Sequence, residues 1–118
     1  MVIRQGDVYW VDLEAPAGSE PGYSHPCVVV QNNVFNLSKI STVVVCALTS
    51  NMKRAESPGN VVLRKGEAGL PKASVANISQ LLTVNKSDLT YKIGRLSVKK
   101  IVKIIEGIDL LIHPRDIA

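Results

Sequence analysis

Cysteine is scarce in this chain, which has only Cys27 and Cys46. Both lie inside apolar runs, CVVV and VVVCAL, so they read as buried free thiols packing as small hydrophobes rather than as a disulfide. There is no CxxC pair and no HExxH, and the remaining ligand types are too few for a metal site; neither metal nor other cofactor is expected. Aromatic residues are sparse too: one Trp, one Phe and three Tyr leave the core to Val, Ile and Leu, whose β-branched share favours sheet. No apolar run approaches a membrane span, and the opening MVIRQGDVYW lacks the pattern of a signal peptide. The expected location is therefore the cytoplasm, with no membrane partner.

What is present fits one domain over residues 1–118, a length that buries roughly two thirds of its unfolded surface without staples. Fourteen Lys and Arg against 10 Asp and Glu give a net charge of +4. Such a balance suits a polyanionic partner, though it also fits an incidentally basic protein. DVYWVDL (7–13) reads as a first strand, CVVVQ as a second, and STVVVCALT (41–49) as the strongest of all. Asn32 to Ile40 is a polar excursion with a helical turn. NVVLRKG gives a short strand that EAGLPK breaks, SVANISQLLTV (74–84) another strand, NKSDL a capped turn and KIGRL a brief edge pairing. In SVKKIVKIIEGIDLLI the apolar residues Val98, Ile101, Val102, Ile105 and Ile108 follow helical spacing, with Ser97 as N-cap. Core packing is the better reading of this helix than a membrane surface. Five or six short sequential strands and one or two helices describe a mainly β fold: a small, mostly antiparallel barrel or curled sheet with a C-terminal amphipathic helix.

Polar groups gather at strand ends, in GSEPGYSHP, LTSNMKRA and NISQ. A small barrel brings adjacent strand ends onto one rim. The combined set holds a proton-transfer group (His25), hydroxyls (Ser19, Ser24, Thr49, Ser50), a carboxylate (Glu20), amides (Asn51, Asn77, Gln80) and cations (Lys53, Arg54). It suits cleavage of RNA by its own 2′-hydroxyl. A base removes the 2′ proton, the oxygen attacks the adjacent phosphorus, and the 5′ oxygen leaves after protonation, with no metal required. Imidazole matches both proton transfers near neutral pH. Each residue also has a plainer reading. His25 can cap a strand, Glu20 can hold its loop, Ser19 and Ser24 are common turn residues, and Lys53 and Arg54 can be a solvated pair. Asn77 and Gln80 are read as sharing one side of their strand, opposite Ile78 and Ser79. Tyr23 and Trp10 can stack on bases, although Trp10 also reads as core.

RQGDVYWVDL, GSEPGYSHPCVVVQNN, VVVCALTSN and SVANISQLLTVNKSDL with KIGRLS together resemble the MazF/PemK family of toxin endoribonucleases over nearly the whole chain. The resemblance implies an SH3-like small β-barrel of the MazF/PemK/CcdB toxin type. It also implies a homodimer that cuts single-stranded RNA such as mRNA without metal, thereby inhibiting translation and growth, and that is held inactive by a cognate antitoxin protein. In the family, the residue before the loop's proline is an arginine central to catalysis, assisted by the threonine that ends the next strand. Carried over, the threonine is Thr49, and the arginine's place is taken by His25, before Pro26, with Ser24 ahead of it. No arginine occurs between Arg4 and Arg54. The loop thus lacks a permanent planar cation, and either His25 takes the acid/base role with Lys53 or Arg54 supplying charge, or activity is weakened. Two alternatives stand beside catalysis: a toxin that binds DNA gyrase without chemistry, and a regulator that binds RNA or antitoxin. The tail IHPRDIA lacks the tryptophan of gyrase-poisoning relatives.

Overall fold

The protein's structure, a computed structural model, describes residues 2–13 and 23–115. Six strands are Asp7–Leu13 (β1), Tyr23–Val29 (β2), Thr42–Thr49 (β3), Val61–Leu63 (β4), Ser74–Asn85 (β5) and Leu89–Arg95 (β6). A short helix, Asn33–Asn36 (α1), follows β2, and a long one, Val98–Ile112 (α2), is the last described element. The strands form one antiparallel sheet in the order β4-β5-β3-β2-β1-β6. Only the 3-10 turn Lys86–Asp88 joins β5, beside one edge, to β6 at the other. Asn85 and Leu89 are four residues apart, a reach of about 14 Å. Four strand spacings in a flat sheet would need about 19 Å. The sheet must therefore curl, bringing its edges together as a half-barrel.

Curling gives the sheet two buried faces, which is why its strands read as unbroken apolar runs rather than alternating ones. One cluster includes Tyr9, Val11, Cys27, Val29, Val43, Val45, Ala47 and Leu89. The other includes Val8, Val28, Cys46, Leu48, Leu63, Ile78 and Ile104, the last contributed by α2. Both cysteines are buried free thiols, and they belong to opposite faces.

Two elements differ from expectation. β2 starts at Tyr23, within the stretch read as loop, because Tyr23 to Pro26 pair with Leu13 to Trp10 of β1. Pro26 lacks an N–H and sits where the ladder to β3, which starts at Cys27–Ala47, has not yet formed. The buried stripe of α2 is also rotated from the expected one. Ile104 and Gly107 are buried and Ile101 and Ile108 half-buried, whereas Val98, Val102 and Ile105 are 74%, 48% and 36% exposed. The cause is a glycine contact. A Cβ on Gly107 would run into the carbonyl oxygen of Gly59, so the helix approaches the β4 side through this glycine face. Ser97 caps the helix as expected, its side chain accepting from Lys100 N.

Asp7 is fully buried at the head of β1, where its Oδ2 accepts from Arg4 N at 3.0 Å. Its Oδ1 lies 3.3 Å from Lys92 Nζ on β6, an ion pair rather than a well-formed hydrogen bond. The pair helps fix β6 against β1.

Candidate active site

A cavity of about 300 Å³ opens at one end of the sheet. Five segments build it. β1 gives Trp10; β2 gives Ser24, His25 and Pro26; β3 and the residue after it give Leu48 and Ser50; β6 gives Ile93. The connection into β5, with that strand's first residue, supplies Leu70, Pro71, Lys72 and Ser74. Its walls are mainly apolar, and the polar side chains among its lining residues are few: the Ser hydroxyls, one imidazole, one indole and one ammonium. Pockets of this composition hold the body of a ligand by contact and orient it with a small number of donors.

His25 is half-buried and pairs across the ladder with Val11. Its backbone carbonyl accepts from Cys27 Sγ at 3.7 Å. Ser24 is exposed, and its hydroxyl donates to Asp12 Oδ1 at 2.9 Å. Ser50 closes the β3 side. The cavity thus brings Ser24, His25 and Ser50 together. Thr49 ends β3 beside it, half-buried, but is not among the lining residues. Its Oγ1 accepts from Asn51 N at 3.1 Å, leaving its own O–H free to donate.

The neighbouring loop is occupied with its own architecture. Asn51 caps the 3-10 turn Met52–Glu56, its side chain accepting from Lys53 N at 3.2 Å. Lys53 and Arg54 stand exposed on that turn and do not line the cavity. Asn77 is buried at 7% exposure, accepts from Asn60 Nδ2 and Ser79 Oγ, and donates to Gln80 Oε1 at 3.1 Å. Asn77 and Gln80 meet because the ladder slips there. Ala47 alone on β3 stands against Asn77, Ile78, Ser79 and Gln80 between the Cys46–Leu81 and Leu48–Ala76 pairs. Regular alternation would have set Asn77 with Ser79 and Ile78 with Gln80; the bulge is what joins the ends of the segment. Asn60 completes the network by donating to Arg54 O and accepting from Ile78 N, tying the 3-10 turn to β5.

Ser19 and Glu20 lie outside the described residues, and Tyr23 opens β2. Among the described residues no group of three or more His, Cys, Asp or Glu is placed to hold a metal ion, and no helix is long and apolar enough to cross a membrane. Trp10 proves to be a half-buried wall of the cavity. The residues that sequence reasoning passed over are Leu70, Pro71, Lys72, Ser74 and Ile93. EAGLPK read only as a strand break, yet a lysine following a proline between two strands is a cation on a stiff mount, and that was the available signal.

The model of PemK-like, MazF-like toxins of type II toxin–antitoxin systems matches residues 4–112. Endoribonuclease MazF2 of Mycobacterium bovis is 37% identical over 108 residues, covering 92% of this chain and 95% of the relative. Endoribonuclease MazF of Staphylococcus saprophyticus is 38% identical over 110 residues, covering 92% and 90%. Among solved structures, a mycobacterial endoribonuclease in complex with its cognate antitoxin superposes with a TM-score of 0.76 at 24% identity, covering 97% of this chain and 99% of that one. The MazE–MazF complex of Deinococcus radiodurans gives 0.78 at 18% identity, covering 98% and 99%. At such identities these two likenesses concern the fold. With curated endoribonucleases as its relatives along nearly its full length, the chain belongs to the PemK-like, MazF-like toxin family of type II toxin–antitoxin systems.

Proposed function

We propose that this toxin-family protein is a sequence-selective, metal-independent endoribonuclease that cuts single-stranded RNA, mRNA included, and so blocks translation and growth in the cytoplasm. The observation that carries the reading is the cavity that Ser24, His25 and Ser50 line together beside apolar walls. His25 removes the 2′-hydroxyl proton, the 2′ oxygen attacks the adjacent phosphorus, and the 5′ oxygen departs with a proton returned by the imidazolium. A 2′,3′-cyclic phosphate and a 5′-hydroxyl remain. Thr49, at the end of β3, donates its O–H to the phosphate, with Ser50 beside it. Unpaired RNA fits because only a splayed strand offers a base to Trp10 and the Leu70–Pro71 wall while exposing its 2′-hydroxyl. Asn51, Lys53, Arg54 and Gln80, which do not line the cavity, are assigned to contacts along the strand outside it, and Ser19, Glu20 and Tyr23 to RNA contacts as well. Asn77 acts through the network that holds β5.

A homodimer and a cognate antitoxin complete the proposal. Val98, Val102 and Ile105 on α2, with Val34 and Phe35 on α1, leave large apolar side chains exposed, as a surface that meets another chain does. The related complexes of toxin with antitoxin support the antitoxin as partner. Primer extension on a long RNA, with purified protein and with or without EDTA, tests the reading: discrete cuts at a recurring short sequence, unchanged by chelator, are expected. Cuts that vanish in EDTA, or DNA cut equally well, would overturn it.

A further inference from the structure

We infer that Lys72 is the permanent cation of this site, a catalytic residue that meets the scissile phosphate and supplies the charge the His25 loop lacks. The inference rests on the RNA-cleaving reading above. Lys72 lines the same cavity as Ser24, His25 and Ser50, and it is the only lysine or arginine among the described lining residues. An imidazole that gives and takes protons is uncharged for part of each cycle, whereas a phosphorane carries extra negative charge at its peak. A second group that stays cationic is needed, and an ammonium is one.

Two other lysines near the sheet are committed elsewhere. Lys92 pairs with Asp7, and Lys100 lies 3.8 Å from Glu67 while donating to Val62 O. Lys72 is exposed and has no ion-pair partner among the described residues.

The mount of Lys72 is firm. Gly66 N donates to Leu70 O at 2.8 Å, Leu70 N to Glu67 O, and Arg64 N to the Glu67 carboxylate, closing a tight turn just before it. Within that turn Ala68 holds a left-handed φ of 53°, and its carbonyl sits where a Cβ on Gly94 of β6 would be. Gly94 therefore lets the turn seat against β6, directly beside Ile93 of the cavity. Pro71 fixes the backbone ahead of Lys72, and Lys72 O accepts from Ser74 Oγ at 3.1 Å. A flexible side chain thus starts from a fixed point.

Single-turnover cleavage of a single-stranded RNA by K72Q, K72R and K99Q, at saturating protein and equal salt, tests this. Lys99 lies exposed on α2, so K99Q removes the same charge away from the cavity. The expected result is a K72Q rate lowered about 100-fold, K72R within about tenfold of the parent, and K99Q equal to the parent. A K72Q rate within about threefold of the parent overturns the role of Lys72 while cleavage itself stands, as does a loss confined to RNA affinity with the saturated rate intact. A parent protein that cuts no RNA overturns the nuclease reading instead, so the two failures are distinct.

Discussion

His25 stands where the family resemblance calls for an arginine, and the difference is one of chemistry as well as charge. A guanidinium holds charge and shape but moves no proton; an imidazole moves protons readily. If His25 performs the transfer, His25→Ala lowers the single-turnover rate on the order of a hundredfold, and Thr49→Ala does so comparably through loss of a donor. Rates for either variant within about threefold of the parent would remove that residue from the mechanism. The two thiols give an independent residue-scale prediction. Burial pushes Cys27 and Cys46 up to about 12, the latter aided by the nearby Cys27 charge, from an ordinary value of 9.0. Burial, with Asp7 second, also raises the Tyr9 phenol. A group whose proton is held more tightly in the folded state adds nothing below the unfolded pKa. As pH then rises from about 9 towards 12, the unfolded chain releases protons that the folded chain retains, and stability falls. Urea titrations at pH 8 and pH 10 should show a lower midpoint at pH 10, reflecting an unfolding free energy smaller by about 1.4 kcal/mol per thiol, and both thiols should resist alkylation at pH 8 until the protein unfolds.

At the scale of elements, the decisive contact is α2 on the rest of the molecule. Helix propensity alone predicts that Gly107→Ala stabilises by nearly 1 kcal/mol. The Gly59 carbonyl occupies the place the new methyl would take, and backbone cannot step aside as a side-chain tip can. The variant should therefore melt lower than the parent; a higher melting temperature would show that the helix docks without this contact. Ile104→Ala, at a site 1% exposed, should cost about 2–5 kcal/mol in a chemical denaturation experiment. These two residues also show where sequence reading stopped. The helical period and the Ser97 cap were plain in SVKKIVKIIEGI, but two overlapping apolar stripes exist on that helix. Choosing between them depended on Gly59, nearly fifty residues away. Likewise β2 hid its first residues in a Gly- and Pro-rich stretch, because strand pairing with β1 outweighed local composition.

For the whole molecule, the sheet class was legible because Val-rich runs such as VVVCAL state their burial locally. The cavity was legible only in part. His25, Ser24 and Ser50 advertised themselves at strand ends. The wall built by Leu70, Pro71, Lys72 and Ile93 exists only once the sheet has curled and β6 has closed on β1, so no local pattern announced it. The reading as a nuclease depends on attack by the substrate's own 2′ oxygen, and one measurement addresses that directly. A single-stranded RNA bearing the mapped cut site is incubated with the protein alongside the same strand carrying a single 2′-deoxy nucleotide at the position whose oxygen would attack. The account predicts that the all-RNA strand is cut to a 2′,3′-cyclic phosphate end and the deoxy strand is left intact at that site. Equal cutting of both strands would contradict it.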